Sequence, residues 1–311
     1  LPLLRYRLIF GTLFIALLLA IFWVDSRLDR IVLTGAWSDL FEGRSYLPAG
    51  LALFALCMLI IPIAAWELTH ILRANEIRAQ TWLICFAAEL GLIVHFAMPY
   101  TTNAAHAVAI VGTALVTMFL ASLVYHSRER RVEGVVAAAG GTMFGMIYLG
   151  FMFGFLLAIR RWESAWVVLG IILITKSCDI GAYFTGRTIG RHKLIPWLSP
   201  GKTWEGLAGG VVFSVVVASL LAWWGRSIEP LTISGGRTYD FSFSPLDAAL
   251  GGAALGLVGQ GGDLIASLLK RDAGIKDSSS LLPGFGGVLD VIDSPLLAGP
   301  VAYWLLTVMS R

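Results

Sequence analysis

The stretch "AWVVLGIILITKSCDIGAYFTGR", residues 165–187, decides the fold. It is long enough to cross a bilayer, which takes about 20 mostly apolar residues. Yet it carries Lys176 and Asp179 inside the run and ends on Arg187. Lys176, Asp179, Tyr183 and Arg187 are spaced three, four and four residues apart, so they line one stripe of a helix. Charges in hydrocarbon are costly and mark a polar cavity. The plainer alternative is an ion pair one turn apart that neutralises itself.

The same apolar texture continues on both sides. Of 311 residues, 57% are hydrophobic and 14% charged, against roughly 25% charged in soluble domains. Mean hydropathy is +0.79. The class is therefore all-α, a polytopic integral membrane protein of about nine transmembrane helices. The spans are placed near 6–24, 46–66, 81–98, 104–125, 134–158, 165–185, 206–225, 247–269 and 294–309. Trp23, Trp66, Trp82, Trp166, Trp223 and Trp224 fall near the proposed interfaces, as an aromatic belt does. "AAAGGTMFG" (137–145) and "LGGAALGLVGQGG" (250–262) allow close helix approach. The run Leu8–Val24 is too long for a signal-peptide core and lacks an Ala-x-Ala exit, so it reads as a retained span. Cys57, Cys85 and Cys178 lie in apolar runs without metal or redox spacing.

A net charge of +3, with no basic cluster, gives no sign of nucleic acid. The cations report orientation instead. Arg5, Arg7 and the loops after the even-numbered spans hold 14 Lys and Arg, and the other side holds 8. This bias puts the N-terminus in the cytoplasm. It also puts two polar loops, 186–205 and 270–293, on that face. The chain divides into an N-terminal bundle (1–160, spans one to five) and a C-terminal catalytic region (161–311, spans six to nine with both loops).

The first loop contains "SPGKTWEG" (199–206), whose Gly-Lys-Thr imitates the end of a P-loop. A P-loop needs a glycine five positions before Gly201, where Pro196 stands. Arg187, Arg191, Lys193 and Lys202 nevertheless form a basic edge suited to polyphosphate, and Gly201 leaves room for backbone contact. His192 reads as a surface or capping residue, since no second His or Cys is suitably spaced. In "GQGGDLIASLLKR" (259–271), Asp263, Ser267, Lys270 and Arg271 share one side of a helix. The loop that follows brings Lys276, Asp277, the glycines 284, 286 and 287, then Asp290 and Asp293. Asp263, Asp290 and Asp293 can hold a hard divalent cation, while Gly286 and Gly287 give backbone access to phosphate oxygens. Glu67 and Glu89 are each a lone satisfied carboxylate or a cavity wall, and neither is assigned a role.

"SLLKRDAGIKDSSSLLPGFGGVLDVIDS" (267–294) resembles the C-terminal signature of phosphatidate cytidylyltransferases, or CDP-diacylglycerol synthases. Ser267, Lys270, Arg271, Lys276, Asp277, Pro283, Gly286, Gly287, Asp290 and Asp293 match it in order and spacing. "DIGAYFTGRTIGRHKLIPWLSPGKTWEGLAGG" (179–210) is similar to that family's upstream motif. The resemblance covers about the last 130 residues, comparable to one domain. Two positions depart from it: Phe285 replaces a His and Val291 an Arg. The resemblance implies transfer of CMP from CTP to phosphatidate in phospholipid biosynthesis, with release of pyrophosphate. Mg2+ is the implied cofactor, with K+ as a candidate second cation. Asp263, Asp290 and Asp293 would hold metal, and Lys270, Arg271 and Lys276 would contact phosphates beside Asp277. Ser199, Lys202, Thr203 and Arg187 would face nucleotide, with Asp179 completing the cavity and Gly286 and Gly287 near phosphate. Membrane lipids and a second copy of the chain are the expected partners, and the bacterial inner membrane the expected location. A CTP-dependent lipid kinase or another lipid cytidylyltransferase, a silent paralogue and a transporter are the alternative readings.

Overall fold

The computed structural model describes residues 2–35, 38, 46–98, 102–128, 132–233, 237–239, 241–282, 284 and 286–309. Nine helices run through the described residues: α1 (Pro2–Leu28), α2 (Leu51–Ala74), α3 (Thr81–Ala97), α4 (Ala104–Ser127), α5 (Val135–Trp162), α6 (Ala165–Ile189), α7 (Trp204–Gly225), α8 (Pro245–Asp272) and α9 (Val288–Met309). Eight are long and apolar enough to cross a membrane, and α3, with 17 residues, is shorter. The starts follow local chemistry. Asn103, Ser164, Thr203 and Ser244 each accept a backbone N–H of the first turn, at α4, α6, α7 and α8. Pro245, just inside α8, removes a donor that would have had no partner there.

Helix ends differ from the expected ones where the site lies. α6 continues through Ile189, so Arg187 is helical and not in a loop. α8 continues through Asp272, and α9 begins at Val288. Asp290 and Asp293 therefore lie on the first turns of a helix, where carboxylates complement the helix dipole. Two antiparallel strand pairs were not expected. β1 (Lys193–Ile195) pairs with β2 (Ser199–Thr203), with Lys193 opposite Thr203, and β3 (Leu231–Ile233) pairs with β4 (Arg237–Tyr239).

α5 is not uniform: Met146–Phe151 is a π segment between two α-helical parts. Glycines lock it against α3. A Cβ on Gly150 would collide with the Ala88 carbonyl oxygen, and one on Gly145 would lie 2.5 Å from Ile84.

Polar contacts sort the connections to two ends of the bundle. At one end Asn75, after α2, donates to Asp272, the last residue of α8, at 2.6 Å. At the other, buried Arg160 at the end of α5 binds Asp25 (2.5 Å) and Asp29 (2.6 Å) at the end of α1. It also donates to Tyr239 at the end of β4 at 3.2 Å. Asp25 in turn accepts from the N–H groups of Ala52 and Leu53, capping α2. Alternating spans require this sorting. Buried Leu289, Ile292 and Leu296 set α9 into the main core, where it packs on α2 and α5 as well as α6 and α8. Residues 1–160 and 161–311 thus share the helix that carries Asp290 and Asp293.

Candidate active site

Small residues bring three helices together at the level of the acids. A Cβ on Gly262 of α8 would stand 2.5 Å from the Asp293 carbonyl oxygen of α9. One on Gly256 would collide with Ser214 Oγ of α7. Asp263 follows Gly262 on α8. Lys176 on α6 reaches Asp179 and Asp293, both at 3.4 Å, and Ser294 Oγ at the same distance. Gln260 Nε2 donates to Asp179 at 2.6 Å. From the hairpin, Lys202 Nζ reaches down to Asp263 at 2.8 Å and to the Gln260 carbonyl at 3.4 Å. Asp179 and Asp263 lie within electrostatic reach of Asp293. The Lys176, Asp179 and Asp263 side chains keep 33%, 30% and 34% exposure, while Asp293 is buried. Three carboxylates against two ammonium groups leave an acidic surplus within the bilayer. A polar ligand site accounts for such an expense.

A second cluster adjoins the first. Lys270 Nζ meets Asp290 Oδ1 at 2.5 Å. Asp290 Oδ2 accepts from the Ser278 N–H (3.0 Å), the Ser278 hydroxyl (2.9 Å) and the Gly287 N–H (2.8 Å). The surprise is Glu67 of α2, fully buried. Its carboxylate receives Ser278 Oγ at 3.1 Å, Ser279 Oγ at 2.6 Å, Val288 N at 2.9 Å and Leu289 N at 2.7 Å. It is the cap of α9, supplied by another span. The glycines explain themselves here. Gly286 has φ +89, and a Cβ on it would lie 2.6 Å from Asp290 Oδ2. A Cβ on Gly287 would collide with Ser278 Oγ and both Glu67 oxygens. They make room for carboxylates. Glu67→Gln puts an amide where an acceptor is needed, leaving buried donors unpaired. It should destabilise the protein by about 1–3 kcal/mol, read as a lower thermal unfolding midpoint in detergent.

The expected site residues separate accordingly. Asp179, Lys202, Asp263 and Asp293 converge with Lys176 in the first cluster. Lys270 and Asp290 converge in the second cluster, so the three-aspartate metal set divides. Among the described residues no three His, Cys, Asp or Glu side chains form a metal-holding group. Mg2+ asks for less: one or two carboxylates, with phosphate oxygens and water as the remaining ligands. The neighbouring oxygen donors Asp263 and Asp293 fit that demand. Arg187 is not in the cavity; it is exposed and donates to the exposed Tyr183 at 2.9 Å. Thr203 is buried and its hydroxyl is the α7 cap, accepting the Gly206 N–H at 3.0 Å. Ser199 is half-buried at the start of β2. Arg271, Lys276 and Asp277 are exposed, Arg271 bonding the Ile275 carbonyl. Val291 is exposed on α9. Pro283 and Phe285 lie outside the described residues. His192 is a surface residue that pairs with Glu205, as expected. Gln260, Ser278, Ser294 and Glu67 were not foreseen as site residues. The segment "GQGGD" hinted at Gln260, whereas Glu67 had no local signal.

The cytidylyltransferase family model matches residues 29–309. The phosphatidate cytidylyltransferase of Pseudomonas aeruginosa is 33% identical over 263 residues, covering 82% of this chain and 88% of that protein. That of Bacillus subtilis is 36% identical over 167 residues, 53% of this chain and 56% of its own length. The protein YnbB of Escherichia coli K12 is 42% identical over 143 residues, 46% of this chain and 43% of its own. With the last two, the match spans about half of the relative. A match over nearly the whole length, joined to the clustered acids and lysines of α6, α8, α9 and the β1–β2 hairpin, makes this chain a member of the cytidylyltransferase family.

Proposed function

We propose that this protein transfers CMP from CTP to phosphatidate in the membrane, yielding CDP-diacylglycerol and pyrophosphate. The observation that carries this reading is the cluster of ion pairs among Lys176, Asp179, Lys202, Asp263 and Asp293. An oxygen of the lipid phosphate attacks the α-phosphorus of CTP. The new P–O bond forms as the α–β anhydride bond breaks, and pyrophosphate leaves with the electron pair. Both reactants are anions, so charge neutralisation and alignment supply most of the catalysis. A phosphate monoester is already ionised at neutral pH, so no strong base is needed.

Lys202, on the hairpin, swings between Asp263 and an incoming polyphosphate and so guides the nucleotide. Lys176 offsets charge beside Asp293. Asp263 and Asp293 would hold a Mg2+ ion, which when bound would neutralise phosphate charge and ease pyrophosphate departure. The positive-inside bias supports a cytoplasmic site, facing soluble CTP while the lipid enters from the bilayer.

The test is direct. Purified full-length protein in mixed micelles, given phosphatidate, labelled CTP and Mg2+, should form CDP-diacylglycerol and pyrophosphate in equal amounts and stop when EDTA is added. A phosphorylated lipid with CDP as co-product would identify a kinase instead. Absence of any CTP consumption would sink the reading.

A further inference from the structure

One cavity in the bundle plays no part in the reaction proposed above. It has a volume of about 450 Å3 and lies between α6, α7, α8 and α9. Ile171, Ala218, Leu255 and Ala302 line its buried inner end. Trp166, Trp224 and Ile228 stand exposed at its rim, near the start of α6 and the end of α7, where interfacial tryptophans belong. A tightly packed layer separates it from the acids. A Cβ on Gly256 would collide with Ser214 Oγ, and one on Gly259 would lie 3.3 Å from Thr175 Cβ.

Two glycines show that the space is built in. Gly170 of α6 and Gly251 of α8 both line the cavity. A Cβ on the first would meet only Leu221 at 3.7 Å, and one on the second only Met309 at 3.6 Å, both ordinary contacts. Glycines elsewhere in these helices let backbones touch; these two leave room instead. Packed interiors keep few voids larger than a water molecule, and an apolar void does not hold water. In a bilayer the available filler is a hydrocarbon chain. On α6 the cavity runs from Trp166 to Ile174, about 12 Å along the axis. That is close to one leaflet of a hydrocarbon core about 30 Å thick.

Charge at the rim selects the head group. Glu229 and Asp247 are the acidic lining residues, Asp247 accepting the Ser244 hydroxyl at 2.7 Å. Arg226 donates twice, at 2.6 and 3.1 Å, to the carbonyl oxygen of Phe243, which also lines the cavity. Two carboxylates and a guanidinium around one apolar opening complement an ammonium joined to a phosphate. We propose that the cavity holds one acyl chain of an ethanolamine phospholipid, with its ammonium at Glu229 and Asp247 and its phosphate at Arg226. A primary ammonium brings three N–H donors to those carboxylates, as a lysine does, whereas a choline head brings none. A glycerol head, with net negative charge, would face two like charges. This lipid is distinct from the substrate, and its site does not depend on CMP transfer.

Delipidated full-length protein in detergent would be titrated with phosphatidylethanolamine, phosphatidylcholine and phosphatidylglycerol of one chain composition, reading the thermal unfolding midpoint. Phosphatidylethanolamine should raise the midpoint most, with its half-effect at about two- to fivefold lower concentration than phosphatidylcholine, the scale of an exposed ion pair. Gly170→Leu and Gly251→Leu fill the cavity from two different helices. Each should keep or raise the lipid-free midpoint, since Leu favours helix over Gly, and each should lose most of the lipid shift. Glu229→Gln should keep a shift but lose most of the preference for ethanolamine over choline. Equal shifts from all three lipids would overturn the proposal. So would an undiminished phosphatidylethanolamine shift in either folded Leu variant; should one of the two fail to fold, the other decides.

Discussion

Asp263→Asn should cut CMP transfer about a thousandfold, the scale of removing a preorganised charge from a reacting centre. The substitution keeps the shape of the side chain but takes away the charge that holds Lys202 at 2.8 Å. It also removes one of the two carboxylates assigned to Mg2+. Two readouts separate these effects. Initial rates of CDP-diacylglycerol formation give the overall loss, and a Mg2+ titration of the residual activity should shift to higher concentration. A variant within tenfold of wild type, or one with an unchanged Mg2+ requirement, would remove Asp263 from the centre of the reaction.

Arg160→Met should be the most destabilising single change, costing about 3–5 kcal/mol. The guanidinium is fully buried and answers Asp25 and Asp29 together. Removing it strands two carboxylates away from water, and Asp29 Oδ1 already lacks a partner. Adding Asp25→Asn and Asp29→Asn to that variant should return most of the stability, because the stranded charges disappear. The amide introduced by Asp25→Asn still offers a carbonyl oxygen to the Ala52 N–H. Thermal unfolding in one detergent would compare the three proteins. If Arg160→Met unfolds at the wild-type temperature, the cluster does not fasten α1, α5 and β4 together.

Much of the architecture was legible because it is written in local patterns. Apolar run length placed nine helices. The charges of α6 and α8 pointed to one polar cluster, in which Lys176 pairs with Asp179 and Asp293, and Lys202 with Asp263. Arg187 shows the limit of the stripe argument. It shares the azimuth of Lys176 and Asp179, but eight residues beyond Asp179 is about 12 Å further along the axis, past the cavity and into solvent. Sharing a face is not sharing a depth. Asp290 illustrates another limit, since spacing cannot tell which of several neighbouring cations a carboxylate will meet. The β1–β2 hairpin was hidden by its brevity, with Pro196 just after β1 and Pro200 within β2. The partners of Glu67 lie more than 200 residues away, and no window along the chain can reveal them.

That distance bears on how the protein is made. The carboxylate that caps α9 belongs to α2, and the backbone bond between them joins residues 221 apart. A nascent chain whose second span is already inserted must carry Glu67 through the bilayer unanswered, or protonated, until the final span arrives. Completion of the centre is thus tied to the last step of membrane integration. Premature termination within the C-terminal loop would leave a bare acid in hydrocarbon, a defect that cellular surveillance of membrane insertion could recognise.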